Sequence, residues 1–309
     1  MLKFMKYDVL ILGGGPAGMT AALYCIRSGL KTAIISKDIG GTANHILRLE
    51  NWPGFSGEGG KLMKKFYEHL EKYDVKFILK EIKKIEKRKK DFSVLAGSKR
   101  YLSKSLIVCT GTEKSRLEIP GEEKFLGKGV SNCITCDAFF YKNKDVAVIG
   151  GSDCAAGSAL SLANVAKNVY IFYKGEKLDC NEERHKKLEK KKNVKIFYSS
   201  LPIKISGKKK VEKIKIKDFS KNKEKEFNVQ GVFVENNSNS LSDFLGSLDL
   251  KFSKNKKIKV NKKMETSVKG IYAAGDITDQ ELEQVVVASG QGAIAGKNSS
   301  NYVHEQNNP

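Results

Sequence analysis

Short apolar runs alternate along this chain with stretches of helical spacing, the pattern of an α/β protein. Tyr7 to Leu12 (YDVLIL) reads as a short apolar strand, Gly13 to Gly18 as a glycine turn, and Met19 to Ser28 as a helix. Thr32 to Ser36 predicts the next strand. A polar, glycine-rich region runs from Gly40-Gly41 to Phe55, and Gly60 to Tyr73 has helical periodicity. Val75 to Leu79, Phe92 to Leu95 and Ser105 to Val108 predict strands, with a turn at Gly97-Ser98 and Cys109-Thr110-Gly111 at the end of the third. Pro120-Gly121 and Gly127 to Gly129 then mark a linker. Beyond it the opening pattern repeats: strand Asp145 to Ile149, turn Gly150 to Ala156, helix Gly157 to Ala166, strand Val169 to Phe172. Leu178 to Lys191 reads as a helix, and Val194 to Tyr198, Val211 to Ile216 and Val229 to Val234 as strands. Asn236 to Ser240 is a second linker. Gly270 to Asp276 is a strand running into a Gly-Asp turn, followed by the apolar helix Val285 to Ile294 and a tail that reads as frayed after Tyr302.

A glycine triplet between a strand and a helix has a specific use. Gly13 permits the tight turn, Gly15 lets the backbone approach a pyrophosphate, and Gly18 lets the helix lie close to the strand. The start of the helix then receives the phosphates. An acidic residue at the end of the next strand would bind ribose hydroxyls. Here the end reads Ser36-Lys37-Asp38, which makes Asp38 a late candidate. The repeat predicts two dinucleotides, or one dinucleotide and a relic.

Composition narrows the field. The 309 residues allow two domains, and 40% hydrophobic with 29% charged residues suits a protein with a real core. No stretch is apolar for long enough to span a bilayer, and the first apolar run carries the glycine motif rather than a signal peptide, so no membrane role or secretion is expected. The formal net charge is +21, from 56 Lys and Arg against 35 Asp and Glu. Only Arg27, Arg48, Arg88, Arg100, Arg116 and Arg184 are arginines. Nucleic-acid readers rely on arginine forks and on motifs this chain lacks, so a solvated lysine surface is the expectation and nucleic acid is not. Such a charge also suits an acidic protein partner.

Six cysteines occur. Cys25, Cys109, Cys154 and Cys180 are scattered among apolar neighbours and are expected to be buried thiols. Cys133 and Cys136 alone form a close pair, with Asp137 directly after. Two intervening residues let a tight turn bring two sulfurs together as a reversible disulfide. Buried thiols or half a metal site are the other readings of the pair. Dispersed histidines and the lack of a second CxxC argue against a metal.

The stretches GGGPAG at Gly13, ENWPGF at Glu50, GVSNCITCD at Gly129, DVAVIGGSD at Asp145 and GIYAAGDITD at Gly270 together resemble the low-molecular-weight thioredoxin reductases, class II of the FAD-dependent pyridine nucleotide-disulfide oxidoreductases. The resemblance covers nearly the whole chain. It implies an α/β protein of two Rossmann-like three-layer nucleotide-binding domains, the second inserted in the first. FAD would be held by residues 1–113 and 243–309, and the redox pair would sit in a central domain, residues 114–242, that usually binds NADPH. By position, Gly13, Gly15, Pro16, Ala17 and Gly18 would surround the FAD pyrophosphate, with Asp38 and Gly41 on the same side. Asn51 would approach the flavin, Gly275 and Asp276 would meet the pyrophosphate or ribityl chain, and Gln284 with Val285 would cap the ring end. Cys133 would attack the disulfide of thioredoxin, Cys136 would lie nearer the flavin, and Asp137 would move the proton. A homodimer in the cytoplasm is implied as well.

Five departures from that family lie around donor access. Ser152 stands where the second triplet ends in glycine, Tyr173-Lys174-Gly175 replaces a His-Arg-Arg segment, and Asp179 replaces a later arginine. Asn236 to Ser240 replaces a proline-containing link, and Glu283 replaces the arginine before Gln284. Lys174, Lys177 and Arg184 are the point charges left to meet a ribose phosphate. Three readings follow: a thioredoxin reductase fed by NADPH or NADH, a related flavoprotein fed by reduced ferredoxin, and a flavin-binding redox protein without this enzymatic role.

Overall fold

The computed structural model describes residues 5–46, 48–112, 116–235, 243–246 and 248–307, and the backbone alone of Thr135, Cys136 and Asp243. The linker expected at Asn236 to Ser240 lies outside the described residues. The chain divides into two compact units, one of residues 1–112 and 239–309, the other of 113–238.

The first unit opens with β1 (Met5–Leu12), α1 (Pro16–Arg27), β2 (Thr32–Ser36), β3 (Leu49–Trp52), β4 (Phe55–Gly57), α2 (Gly59–Leu70), β5 (Lys76–Leu79), β6 (Ile82–Lys87), β7 (Phe92–Ala96) and β8 (Lys99–Val108). The second unit follows with α3 (Glu122–Phe125), β9 (Val130–Ser131), α4 (Ile134–Asp137), β10 (Asp145–Ile149), α5 (Asp153–Ala163), β11 (Asn168–Phe172), α6 (Glu182–Glu189), β12 (Val194–Phe197), β13 (Ser200–Ser206), β14 (Lys213–Asp218), β15 (Lys223–Asn228) and β16 (Gly231–Val234). The chain then returns to the first unit with β17 (Ile271–Ala273) and α7 (Val285–Asn307).

In the first unit the sheet order is β5-β2-β1-β8-β7-β6, with β17 also on β8. Two strands share one side of β8: β7 pairs antiparallel with its first half and β17 parallel with its last residues. Val9 to Leu12 are wholly buried, so both faces of the central strand are covered. Val9 and Ile11 face a core shared with α1 and α7, while Leu10 and Leu12 face a second core with Ile35, Val94, Tyr101 and Leu245. Leu12 stands level with Ile35 and Val108, and Val108 with Ala273. The loops after β1, β2, β8 and β17 therefore open on the same carboxyl edge, where α/β sheets place ligands.

α7 lies against α1 because glycines face it. A Cβ on Gly292 would collide with the Ala17 carbonyl oxygen, and one on Gly296 would come within 2.7 Å of the Ala21 oxygen. The tail expected to fray is helical to Asn307. Val303 is fully buried, His304 Nε2 lies 3.1 Å from the Ser28 oxygen, and Lys104 Nζ donates to Asn307 Oδ1 at 2.8 Å.

The second unit has a parallel sheet, β12-β11-β10-β16-β9, and a separate antiparallel sheet, β13-β14-β15. One core joins the parallel sheet to α5 and α6, and another, with Phe172, Ile205, Ile214 and Val232, fills the space between the sheets. Both units are thus layered α/β structures of Rossmann type. The helix expected over Leu178 to Lys191 begins only at Glu182. Asp179 is instead drawn into an extended bridge with Ser152, and its N–H donates to the Gly151 oxygen at 2.7 Å.

Candidate active site

At the first glycine turn, Gly13 has φ +113°, and a Cβ there would collide with the Cys109 carbonyl oxygen. A Cβ on Gly18 would collide in turn with the Gly13 oxygen. Strand, turn and helix are locked together because both residues lack a side chain. Gly14 N–H donates to Ser36 Oγ at 2.9 Å, and Gly40 N–H to the Gly14 oxygen at 2.8 Å. Above Gly15 the space is open: a Cβ would meet only the Gly40 oxygen, at 3.9 Å. α1 starts with Pro16 at its first turn and has neither a side-chain cap nor an acidic residue there. Its first backbone donors have no intrahelical partner, so the turn presents a positive, uncapped helix end.

Asp38 is exposed, and its Oδ1 accepts from Gly41 N–H at 2.9 Å, which fixes the loop beside Gly15. Gly275, at φ +83°, packs on this same turn: a Cβ there would come within 3.1 Å of Ala17 Cβ. Its N–H donates to Gln291 Oε1 at 2.7 Å, and the half-buried Asp276 follows it. Asn51 Nδ2 donates to Gln284 Oε1 across 233 residues of sequence, next to the buried Val285 that begins α7. Glu283 is paired with Lys257.

Two residues here escaped sequence reasoning. Ser36 Oγ holds Gly14 in place. Thr110 Oγ1 is buried without a hydrogen-bond partner just beyond β8. The Cys109-Thr110-Gly111 ending of that strand was its only signal. Open space over Gly15, an uncapped helix start and an orphaned hydroxyl on the same sheet edge fit a dinucleotide such as FAD.

In the second unit Cys133 is held in a disulfide just before the one-turn α4. Its N–H donates to Ser131 Oγ at 3.0 Å, and its carbonyl oxygen accepts from Asp137 N–H at 3.2 Å. Cys136 lies on that turn, and its side chain is outside the described residues. Burial raises the Asp137 carboxyl from its ordinary value, against an opposing hydrogen bond from Ser131. Burial, with the nearby Asp137 charge second, pushes the Tyr141 hydroxyl up to about 12. Asn132 Oδ1 is buried and unpartnered, and Phe139 is 75% exposed.

Cys25, Cys109, Cys154 and Cys180 are thiols outside any disulfide. Burial pushes Cys25 up to about 12 and Cys109 higher still, which suits inert core residues. Cys154 and Cys180 depart from the expectation of buried thiols. Cys154 lies on the outer side of the first turn of α5 and is exposed, and Cys180 is half-buried. Among the described residues no group of three or more His, Cys, Asp or Glu is placed to hold a metal ion, and no helix is long and apolar enough to cross a membrane.

Residues 7–292 match the family model of the pyridine nucleotide-disulphide oxidoreductases. Thioredoxin reductase of Bacillus subtilis is 35% identical over 302 residues, spanning 97% of this chain and 95% of that one. The crystal structure of thioredoxin reductase from Streptococcus pyogenes superposes with a TM-score of 0.92 at 34% identity, covering 98% of this chain and 100% of the other. A ferredoxin-flavin thioredoxin reductase from Clostridium acetobutylicum is 30% identical, with a TM-score of 0.53 and coverage of 98% and 100%. On a match of this length and on these relatives, the chain belongs to the pyridine nucleotide-disulphide oxidoreductase family, as a flavin-dependent disulfide oxidoreductase of the low-molecular-weight thioredoxin reductase type.

Proposed function

We propose that this enzyme reduces the disulfide of a thioredoxin-class protein, using FAD held by the first unit and the Cys133/Cys136 pair of the second. The observation that carries the reading is the Cys133 disulfide at the start of a one-turn helix that also bears the half-buried Asp137. Gly13, Gly15, Pro16, Ala17 and Gly18 would hold the FAD pyrophosphate, and Asp38 and Gly41 the adenosine side. Gly275, Asp276 and Thr110 would line the rest of the sheet edge, and Asn51, Gln284 and Val285 the ring end. Bound FAD supplies a carrier that takes up reducing equivalents singly or in pairs and delivers a pair to a disulfide.

Opening the Cys133/Cys136 disulfide takes two electrons and two protons and leaves two thiols. Cys133, as thiolate, attacks one sulfur of the partner's disulfide, forming a mixed disulfide and expelling the partner's other sulfur as thiolate. Cys136 then attacks the Cys133 sulfur, which releases the partner as a dithiol and restores the internal disulfide. Asp137 supplies and recovers the proton at these sulfurs, a task suited to a carboxyl whose burial favours its protonated form.

The test is anaerobic. Holoenzyme reduced with dithionite and freed of excess reductant should deliver thiols to oxidised thioredoxin, and Cys133→Ser should deliver none while retaining its flavin. Equal delivery by Cys133→Ser would end this reading.

A second reading concerns the electron donor. The Clostridium acetobutylicum relative is by name a ferredoxin-flavin enzyme, and a formal charge of +21 speeds encounter with an acidic protein. Reduced ferredoxin therefore stands beside NADPH and NADH as the source. Family membership supports a homodimer. A reducing function and four thiols outside any disulfide suit the cytoplasm.

A further inference from the structure

The second glycine turn repeats the first in backbone and departs from it in the side chains at the helix start and at the end of the neighbouring strand. Gly13 N–H donates to the Ile35 oxygen at 2.8 Å, and Gly150 N–H to the Phe172 oxygen at 3.1 Å, so the two turns close on the neighbouring strand in the same way. Gly15 then corresponds to Ser152, and Ser36 to Tyr173.

At the first turn the start of the helix is left uncapped, whereas Ser152 Oγ accepts from Ala155 N–H at 3.3 Å and caps α5 itself. One of the backbone donors at this helix start is thus already satisfied. α1 has no acidic residue in its first turn, whereas α5 begins with Asp153. That carboxylate accepts from Asn181 N–H at 3.1 Å and is paired with Arg184, which also donates to the Asp153 carbonyl oxygen at 2.8 Å. The extended segment that carries Asp179 is bonded to Gly151 and bridged to Ser152, which sets a second carboxylate residue beside the turn.

Where the first turn has the short Ser36, the second has the Tyr173 ring. It lies against Gly151 and Gly175 so closely that a Cβ on either would come within 2.5 or 2.6 Å of ring carbons. In a dinucleotide fold this strand end selects the ribose, with a carboxylate for its hydroxyls or an arginine for a 2′-phosphate. Tyr173 supplies neither. Residues 113–238 contain two arginines, Arg116 and Arg184, and the second is engaged with Asp153.

We infer that the second glycine turn is closed by the chain's own Ser152, Asp153, Tyr173 and Arg184, and that the central unit binds neither NADPH nor NADH. The inference rests on the proposed function only in taking the protein as a flavoprotein whose reduction can be followed. It separates the family's fold, which is present, from the family's nucleotide, which the residues do not fit.

Equilibrium dialysis of the oxidised holoenzyme against NADPH and against NADH tests it. Neither should bind saturably up to about 1 mM, and neither should bleach the flavin when added anaerobically in stoichiometric amount. Saturable binding of one nucleotide per chain, or prompt bleaching, overturns the inference. The double variant Ser152→Gly/Tyr173→Ala should gain at least about tenfold in affinity for one of the two nucleotides. No gain would show that these side chains are not what closes the turn. Dithionite reduction followed by thiol delivery to thioredoxin is measured on the same samples. If delivery fails, the proposed function falls independently of the nucleotide result.

Discussion

Two strand–glycine–helix units in this molecule have the same backbone and opposite contents. The turn at Gly13 leaves open space over Gly15 and an uncapped helix, while the turn at Gly150 is capped by Ser152 and covered by Tyr173. A supersecondary motif is kept by packing, because strand, turn and helix must still bury Val146, Val148 and Ala159 whether or not a ligand comes. A binding site is kept only by the few side chains that leave donors and space unfilled. The fold thus outlasts the site, and the two must be argued from different residues.

Substitution of the glycines breaks this comparison most sharply. Gly13→Ala combines a positive φ with a collision against backbone, so the protein should be recovered without flavin. Gly151→Ala meets the Tyr173 side chain first, at negative φ, and its flavin content should match that of the wild type. The flavin-to-protein absorbance ratio reads both, and a fully loaded Gly13→Ala protein would refute the role given to the first turn.

Asp137→Asn comes next. It should slow thiol delivery by about 10²-fold, the usual scale for a lost proton donor. The wild-type rate should fall as pH rises through the raised Asp137 value, and the Asp137→Asn protein should lack that limb. Linkage gives the stability a matching sign. A raised carboxyl stabilises the fold while protonated, and that contribution is lost as pH rises from the ordinary aspartate value through the raised one. The Asp137→Asn protein should therefore melt higher than wild type at pH 8, with a smaller gap at pH 4; a gap independent of pH would remove Asp137 as a buried acid.

Smaller effects sharpen the second turn. Ser152→Ala should cost the central unit about 1 kcal/mol for its lost cap, and Ser152→Gly only a few tenths. Arg184→Ala should cost about 0.5 kcal/mol, because the pair with Asp153 is 41% and 48% exposed and screened by water. Thermal melts of the three proteins give the ranking. An Arg184→Ala loss larger than that of Ser152→Ala would mean that the Arg184–Asp153 pair, rather than the Ser152 cap, holds the turn closed.

Both glycine turns were legible because apolar runs such as YDVLIL and DVAVI precede glycines and helical spacing follows. The cysteine pair was visible in its spacing, which left buried thiols or half a metal site open, and its redox reading came from its place between two nucleotide-binding units. Other features were hidden for identifiable reasons. β15 (KEKEFN) is an exposed edge strand whose charges mask its alternation. The helical end of α7 depends on Val303 reaching a core formed by residues far earlier in the chain. The Asn51–Gln284 contact spans 233 residues, and no local pattern announces such a pair. Thr110 became visible only as a buried hydroxyl without a partner. The closure of the second turn was half legible. Ser152 and Tyr173 stood out as departures, but that one caps a helix and the other covers a glycine is a matter of geometry.

The order of segments along the chain also sets a timetable. The second unit is one continuous stretch, while β17 and α7 of the first unit come after it. As the chain is synthesised, the side of β8 that β17 pairs with and the Ala17–Ala21 face of α1 stay uncovered until residues 271–307 have emerged. The inner unit matures on the ribosome while the outer one waits as an open sheet edge. Flavin loading is thereby placed at the end of biogenesis, and a shortage of flavin would strand a nascent protein whose inner half is already folded.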